Sequence, residues 1–267
     1  MNFEGAKFGR DVHFNAATFS AGLDFRGATI LGESAYFPEC VFSGVADLSE
    51  ACFSGFAAFR NAIFQEKAIF ERASFSRAAF FSGAVFQDNA HFGSARFTDL
   101  ALFEGANFIK CAYFQRVTFS GRPIFKDAVF ELEASFVNSQ LSDESSFENV
   151  VFRSKPPRFF DAKLHEGTIW RGAKWPSPPR DSPEAGDFVD AYERLKLEMD
   201  RLKKHEDELN FLPWNYSLAE PSMAIGCLSS SGIFLDEPSP FPLSCFRCRA
   251  YGHSIGSCSV VPSHCSH

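Results

Sequence analysis

Large apolar residues recur through the first two thirds of the chain at spacings that alternate between five and six residues. Thirty such anchors lie between Phe3 and Leu164, and 26 of them are phenylalanine. One extra residue interrupts the alternation before Phe37 and another before Phe159. Anchors with this spacing would wander around a helix of 3.6 residues per turn, so the pattern excludes an amphipathic helix.

A second column of small residues supports the same register. The residue two positions before the anchor is Ala at 20 of the 30 positions, as in Ala68-Ile69-Phe70. A separation of two is the strand period, so the small and the large residue point to one side and the residue between them points to the other. Polar residues such as Lys7, His13 and Arg96 occupy that middle position. The pattern predicts short strands with an apolar inner side and a solvated outer side.

The repeated small–variable–large unit, as in FEGANF, FSGAVF and FSRAAF, resembles the phenylalanine-rich variant of the pentapeptide-repeat proteins. The resemblance covers residues 1–175. It implies an all-β solenoid, a right-handed four-sided pentapeptide-repeat β-helix with one unit on each side. The residues lead to the same architecture, because a short strand cannot bury its anchor alone and must stack on a neighbouring coil.

Four units occupy 22 residues, so about eight coils, stacked about 4.8 Å apart, form a rod about 38 Å long. Residues 22 apart then lie above one another. We therefore expect the structural anchors Phe70, Phe92, Phe114 and Phe136 to form one ladder of rings in a packed core without a ligand pocket. Phe3 begins the pattern almost at Met1, which predicts an uncapped end that is either a partner interface, such as one between two copies, or a sign that the true start is missing.

After the repeats, Trp170 and Trp175 are placed to close the last coil, and residues 176–184 form a Pro-rich linker. Residues 185–211 are predicted to be an amphipathic helix, because their apolar residues keep a three- or four-residue spacing. The helix either docks on the rod or self-associates as a coiled coil. It also resembles the helix that joins the rod to transmembrane helices in many bacterial relatives, so membrane attachment is expected only through segments absent from this chain. The residues of the apolar face are Phe188, Tyr192, Leu195, Met199, Leu202 and Leu209.

The tail, residues 212–267, is rich in Ser, Pro and Cys and keeps neither period. Cys245, Cys248, His253 and Cys258 have the spacing of a zinc knuckle, and such a set could hold zinc and bind single-stranded nucleic acid. The competing interpretation is a frameshift: shifted codons across Trp214-Asn215 and Asn215-Tyr216 force the Glu and Leu expected in relatives. Under that interpretation the tail is a low-order segment, the knuckle is accidental, and no metal site is assigned.

Composition and net charge narrow the classes of function that this chain can have. The 267-residue chain has a formal net charge of −7, and residues 1–175 carry 18 Lys and Arg against 20 Asp and Glu, a net of −2. This balance argues against nucleic acid as a partner.

No membrane-spanning run or signal-peptide core is present, which predicts a cytoplasmic chain as written. No nucleotide-binding loop, dinucleotide fingerprint or hydrolase motif occurs, so we expect no enzyme and no cofactor. The histidines are isolated, and we expect them to be exposed.

These observations favour a non-enzymatic scaffold that binds an unknown protein partner. The family resemblance adds one alternative, a DNA mimic that interacts with type II topoisomerases, for which the rod is too nearly neutral. The knuckle adds another, a nucleic-acid binder acting through residues 245–258.

The two interpretations of the tail predict different behaviour. A frameshifted tail lacks the apolar pattern that could offset chain entropy, so deleting residues 212–267 should leave the melting temperature of the rod nearly unchanged. Zinc should not co-purify stoichiometrically, which metal analysis of the purified chain can check. One zinc per chain, lost in Cys245→Ser, would instead establish the knuckle, because a structural zinc site couples metal binding to folding.

Overall fold

The computed structural model describes residues 1–177 and 185–202. In this part of the chain, 26 short parallel strands form four sheets, and one helix follows them. Each sheet takes one strand from successive coils, so strands that pair are four strands apart in sequence, except that β26 pairs with β23. The result is a four-sided β-solenoid, as the repeat pattern predicts, with about seven turns where the pattern predicts about eight coils.

We number the four sides of the solenoid as faces in the order in which the chain visits them. Face 1 contains β1 (Lys7–Phe8), β5 (Thr29–Ile30), β9 (Cys52–Phe53), β13 (Ser74–Phe75), β17 (Arg96–Phe97), β21 (Thr118–Phe119) and β25 (Gln140–Leu141). Face 2 contains β2 (Val12–His13), β6 (Ser34–Tyr36), β10 (Phe56–Ala58), β14 (Ala79–Phe80), β18 (Ala101–Leu102) and β22 (Pro123–Ile124). Face 3 contains β3 (Thr18–Phe19), β7 (Val41–Phe42), β11 (Ile63–Phe64), β15 (Val85–Phe86), β19 (Asn107–Phe108), β23 (Val129–Phe130) and β26 (Val151–Phe152). Face 4 contains β4 (Leu23–Asp24), β8 (Ala46–Asp47), β12 (Ala68–Ile69), β16 (Ala90–His91), β20 (Ala112–Tyr113) and β24 (Ala134–Ser135).

The pairing register follows the repeat length. Lys7 pairs with Thr29, 22 residues later, whereas Val12 pairs with Ala35, 23 residues later, because the first extra residue falls between these two pairs. Isolated bridges continue the pairing beyond the strands, out to Lys163 and Lys174 near the C-terminal end of the rod. The solenoid therefore absorbs each extra residue at a corner without losing the stack.

The core consists of stacked phenylalanine rings. Phe70, Phe92, Phe114 and Phe136, which follow the strands of face 4, form the ladder that their spacing predicts. Successive ring centroids are 4.9, 4.9 and 5.0 Å apart, and the ring planes differ by no more than 4°. All four side chains are fully buried, which leaves no room for a ligand among them.

The anchors of face 2 interlock with this ladder. Phe92 lies 5.4 Å from Phe81 and 5.4 Å from Phe103, with interplanar angles of 88° and 90°. Stacking along the rod is thus combined with edge-to-face contact across it, the two arrangements that the ring quadrupole favours. The alanines two positions before the anchors are buried as well, and their small size lets the rings of the opposite faces meet.

The corners after faces 2 and 4 use a residue with positive φ two positions after the anchor. After Phe103, Gly105 has a φ of +64°, and the Ala106 N–H donates to the Phe103 carbonyl oxygen at 3.0 Å, as in a type II turn. Arg72 and Arg116 occupy the same position with φ of 56° and 55°. Non-glycine residues accept a local backbone strain of about 1–2 kcal/mol there, and the Arg72 and Arg116 side chains themselves are exposed.

The helix, α1 (Ala185–Arg201), packs on the last coil of the rod. Phe188, Tyr192, Leu195 and Met199 are buried and belong to the same apolar cluster as the rod. The Tyr192 hydroxyl donates a hydrogen bond to the Pro176 carbonyl oxygen at 2.7 Å. Of the two alternatives for this segment, docking on the rod is the arrangement observed. The predicted continuation to residue 211, with Leu209, lies outside the described residues.

Indole rings extend the ladders at this end. Trp170 stacks on Phe147 with ring centroids 4.4 Å apart, and Trp175 stacks on Phe152 at 5.3 Å. Trp175 also contacts the Tyr192 ring edge to face at 6.4 Å. The two tryptophans therefore close the last coil, as expected, and Trp175 also connects the rod to α1.

Replacing one ring of the central ladder should lower the free energy of unfolding by an amount that depends on the cavity left in the core. Phe92→Ala removes stacking on two coils and leaves a cavity, so we expect a loss of about 3–5 kcal/mol in the free energy of unfolding. Phe92→Leu should cost about 1.5 kcal/mol, because Leu48 and Leu141 already serve as anchors and leucine fills most of the volume. Urea unfolding followed by circular dichroism measures both. Equal losses in the two variants would contradict a core held by ring packing.

Candidate interaction surface

The outward side chains of the solenoid form columns. One residue of each short strand points away from the core, and parallel pairing places these residues above one another about 4.8 Å apart. The register therefore converts a 22-residue sequence period into a surface pattern, and the four faces carry different chemistry.

Face 2 carries an apolar and aromatic column where the sequence pattern predicts solvated residues. Strand pairing connects Tyr36 to Ala58, Ala58 to Phe80, Phe80 to Leu102 and Leu102 to Ile124. Phe56 and Leu100, which directly precede the inward alanines of their strands, widen the column. The exposed fractions of Tyr36, Phe56 and Leu100 are 38%, 36% and 37%, large values for apolar or aromatic side chains. We call this set of seven the face-2 patch: Tyr36, Phe56, Ala58, Phe80, Leu100, Leu102 and Ile124.

Two arginines lie against the aromatic rings of the face-2 patch. The Arg60 guanidinium carbon is 4.3 Å from the centroid of Phe80, and that of Arg77 is 5.3 Å from the centroid of Phe56. The two rings are themselves 6.2 Å apart. Cation–π contacts of this kind orient the guanidinium without consuming its hydrogen-bond donors. We call these four residues the Arg–Phe cluster.

Most other arginines of the rod pair with carboxylates of an adjacent coil. Arg72 bonds Glu50 at 2.8 Å, Arg122 bonds Glu144 at 2.6 Å, and Arg153 bonds Glu131 at 2.9 Å. The partners of each pair are 22 residues apart, which again reflects the register. These exposed pairs add little stability, about 0–1 kcal/mol each, but they neutralise the surface between the faces.

Face 4 has a shallow depression at Gly93, where a column of longer side chains is interrupted. His91, Tyr113, Lys67, Glu71 and Gln115 are among the side chains that line it. The His91 ring lies 5.0 Å from the Tyr113 ring. Burial raises the pKa of Tyr113 to about 12, and its hydrogen bond with Cys111 acts in the same direction. His91 is half-buried, so the prediction that this histidine is exposed is wrong.

A cleft of about 210 Å³ lies between α1 and the corner of the last coils. Lys155 and Arg158 face Asp187 and Asp190 across it, and Arg158 bonds Glu133 at 3.3 Å. Glu131 and Glu133, two residues apart in the sequence, thus each bond a separate arginine. Within residues 1–177 and 185–202, no group of three or more His, Cys, Asp or Glu side chains is arranged to hold a metal ion.

The sequence-predicted site residues have separate outcomes. Cys245, Cys248, His253 and Cys258, the zinc-knuckle candidates, lie outside the described residues. The anchors Phe70, Phe92, Phe114 and Phe136 lie in the core. The residue pattern did not lead us to predict the face-2 patch, although its signal is present in the sequence. Along this face, the residue directly before the anchor is aromatic or aliphatic at Tyr36, Phe80, Leu102 and Ile124.

The architecture and its surface define a class of protein, a repeat solenoid that presents columns of side chains on a rigid core. The family model "Pentapeptide repeats (9 copies)" matches residues 3–51, 37–76, 59–105 and 103–151. The matches span more than half of the chain, and the chain belongs to the pentapeptide-repeat family. No match was found among curated proteins. In the described part of the chain, α1 is not long and apolar enough to cross a membrane.

The burial of His91 should appear in its titration. Burial lowers the pKa of the imidazole below its ordinary value of 6.5, while the Glu71 carboxylate, 3.8 Å away, opposes the shift. As the pH falls through 6.5, His91 therefore binds a proton in the unfolded chain before it does so in the folded chain. The free energy of unfolding decreases over this range, and the decrease ends once the pH is below the folded pKa. NMR titration of the ring should find the lowered pKa, and Glu71→Gln should lower it further. A pKa at or above 6.5 would contradict the effect of burial.

Proposed function

We propose that this protein is a non-enzymatic scaffold that binds a protein partner through the face-2 patch. The observation that carries the proposal is the column of outward aromatic and aliphatic residues on face 2, in which Tyr36, Phe56 and Leu100 are each more than a third exposed. Face 3 also has aliphatic residues at its outward positions, but none of them is aromatic. A soluble surface normally scatters such residues singly, and a contiguous patch marks an interaction site. The fold supports this role because the core ladders hold the patch in one geometry before a partner binds, which reduces the entropy lost on association.

The composition of the patch favours a protein partner. Aromatic side chains and arginine are enriched at the centres of protein interfaces, where they contribute most of the binding energy. The face-2 patch combines three aromatic residues with two arginines that stack on them. A DNA mimic needs a strongly negative surface, whereas residues 1–175 have a net charge of only −2, so the charge balance argues against binding a topoisomerase by DNA mimicry.

Site-specific photocrosslinking tests the proposal. A photoreactive phenylalanine analogue replaces Phe80 or Leu102 on face 2, or Val85 or Ile63 on face 3 as matched controls that also lie on outward strand positions. We expect the face-2 positions to crosslink one defined protein in cells of the source organism and the face-3 positions to give no such product. The partner is then identified by mass spectrometry and purified.

Binding of the purified partner completes the test. Leu102→Asp should weaken the affinity at least tenfold, because it places a charge in the centre of the patch, and Ile63→Asp on face 3 should leave the affinity unchanged. Crosslinking confined to face 3 would overturn the assignment of the surface. Turnover in a broad hydrolase and transferase screen, lost on changing outward residues, would overturn the non-enzymatic role.

A further inference from the structure

We propose that the Arg–Phe cluster recognises an acidic segment of the partner protein, in which carboxylate side chains flank an aliphatic or aromatic residue. This inference rests on the proposed function and specifies the chemistry of the partner at the face-2 patch. It goes beyond a general apolar interface, because it assigns two arginines to carboxylates and the adjoining side chains to the apolar residue between them.

The cluster has a reciprocal geometry across two coils. Arg60 belongs to the coil of Phe56 and reaches Phe80 on the next coil, while Arg77 belongs to the coil of Phe80 and reaches back to Phe56. Each guanidinium is therefore held by a ring of the neighbouring coil, and the coils are fixed by the pairing of Ala58 with Phe80. Two cations are thus held by packing against a pair of neighbouring aromatic rings.

Neither arginine is neutralised by a carboxylate within the described part of the chain. Arg60 and Arg77 make no ion pair there, in contrast to Arg72, Arg122 and Arg153. A guanidinium that stacks with its face on a ring keeps its N–H donors at the edge, in the plane where a carboxylate can accept two hydrogen bonds. The two guanidiniums consequently offer preoriented sites for two carboxylates, and the loss of side-chain entropy on binding is reduced.

The apolar part of the patch continues directly from the cluster. Leu102 pairs with Phe80 on one side and with Ile124 on the other, and Leu100 lies beside them. An apolar side chain placed between two carboxylates would contact this surface while the carboxylates reach the guanidiniums. Burial of such a residue supplies affinity, and the charged contacts supply orientation and selectivity.

Phosphates could also engage guanidiniums, and bases could stack on exposed rings, so nucleic acid is the alternative to exclude. The surroundings favour carboxylates. Affinity for nucleic acid requires many phosphate contacts, but only two unpaired arginines belong to the cluster.

Peptide selection tests the proposal even while the partner is unidentified. A phage library of random 12-residue peptides is panned against the full chain without counter-selection, and the recovered peptides are then tested against the Arg60→Gln, Arg77→Gln double variant. We expect the recovered peptides to carry Asp or Glu next to Leu, Phe or Trp. Synthetic copies should lose at least tenfold in affinity toward the double variant and weaken with added salt. Arg72→Gln, which removes an exposed arginine already paired with Glu50, is the matched control and should leave the affinity unchanged.

The outcomes separate this inference from the proposed function. Neutral or basic peptides, or peptides that bind the double variant equally well but fail with Leu102→Asp, would overturn the acidic specificity and retain face 2 as the docking surface. Peptides insensitive to Leu102→Asp would overturn both. A single-stranded nucleic acid of 20 nucleotides is tested in the same way. If it binds as tightly as the peptides, and this binding is lost in the double variant, the cluster is reassigned to nucleic acid. Circular dichroism confirms that each variant is folded.

Discussion

Contact between aromatic rings of successive coils is the interaction on which the rest of this structure depends. A strand of two residues makes too few hydrogen bonds to persist alone, and each coil exposes its rings on both sides until another coil covers them. Phe70, Phe92 and Phe114 illustrate the solution, since each ring stacks on the next at 4.9 Å with nearly parallel planes. The same contact fixes the stacking register, because a coil of 22 residues, or of 23 where a corner absorbs an extra residue, returns a ring to its column.

The surface pattern is a consequence of this core. Once the rings fix the register, outward residues 22 apart must become neighbours, whether they attract or repel each other. The cross-coil pairs of Arg72 with Glu50 and of Arg122 with Glu144 arise in this way. The face-2 patch arises in the same way from apolar residues. A rigid core thus leaves the outward positions free to carry function, since their side chains contribute little to stability.

The C-terminal end illustrates how a solenoid can terminate. Ring ladders would leave an apolar surface at their last level, and here Trp170 and Trp175 complete the ladders before α1 covers them. Tyr192 has both an apolar body and a polar hydroxyl, so it packs against Trp175 and satisfies the carbonyl of Pro176. Burial raises the pKa of Tyr192, which is consistent with a hydroxyl held neutral inside this contact. The helix is therefore part of the same apolar core as the repeats.

The sequence by itself determined the solenoid, the coil length and the inward residues, because a short repeat with one large anchor permits only one way of burying that anchor. It also determined which face of α1 is apolar. The same period places Tyr36, Phe80 and Leu102 in one column, but only the structure showed how far these side chains are exposed, because exposure depends on the packing of neighbouring side chains. Tertiary structure alone decided that Arg60 and Arg77 lie on Phe80 and Phe56 whereas Arg72 pairs with Glu50. The burial of His91 and the separate partners of Glu131 and Glu133 were decided in the same way, because these contacts join different coils and the local pattern of one repeat carries no information about them.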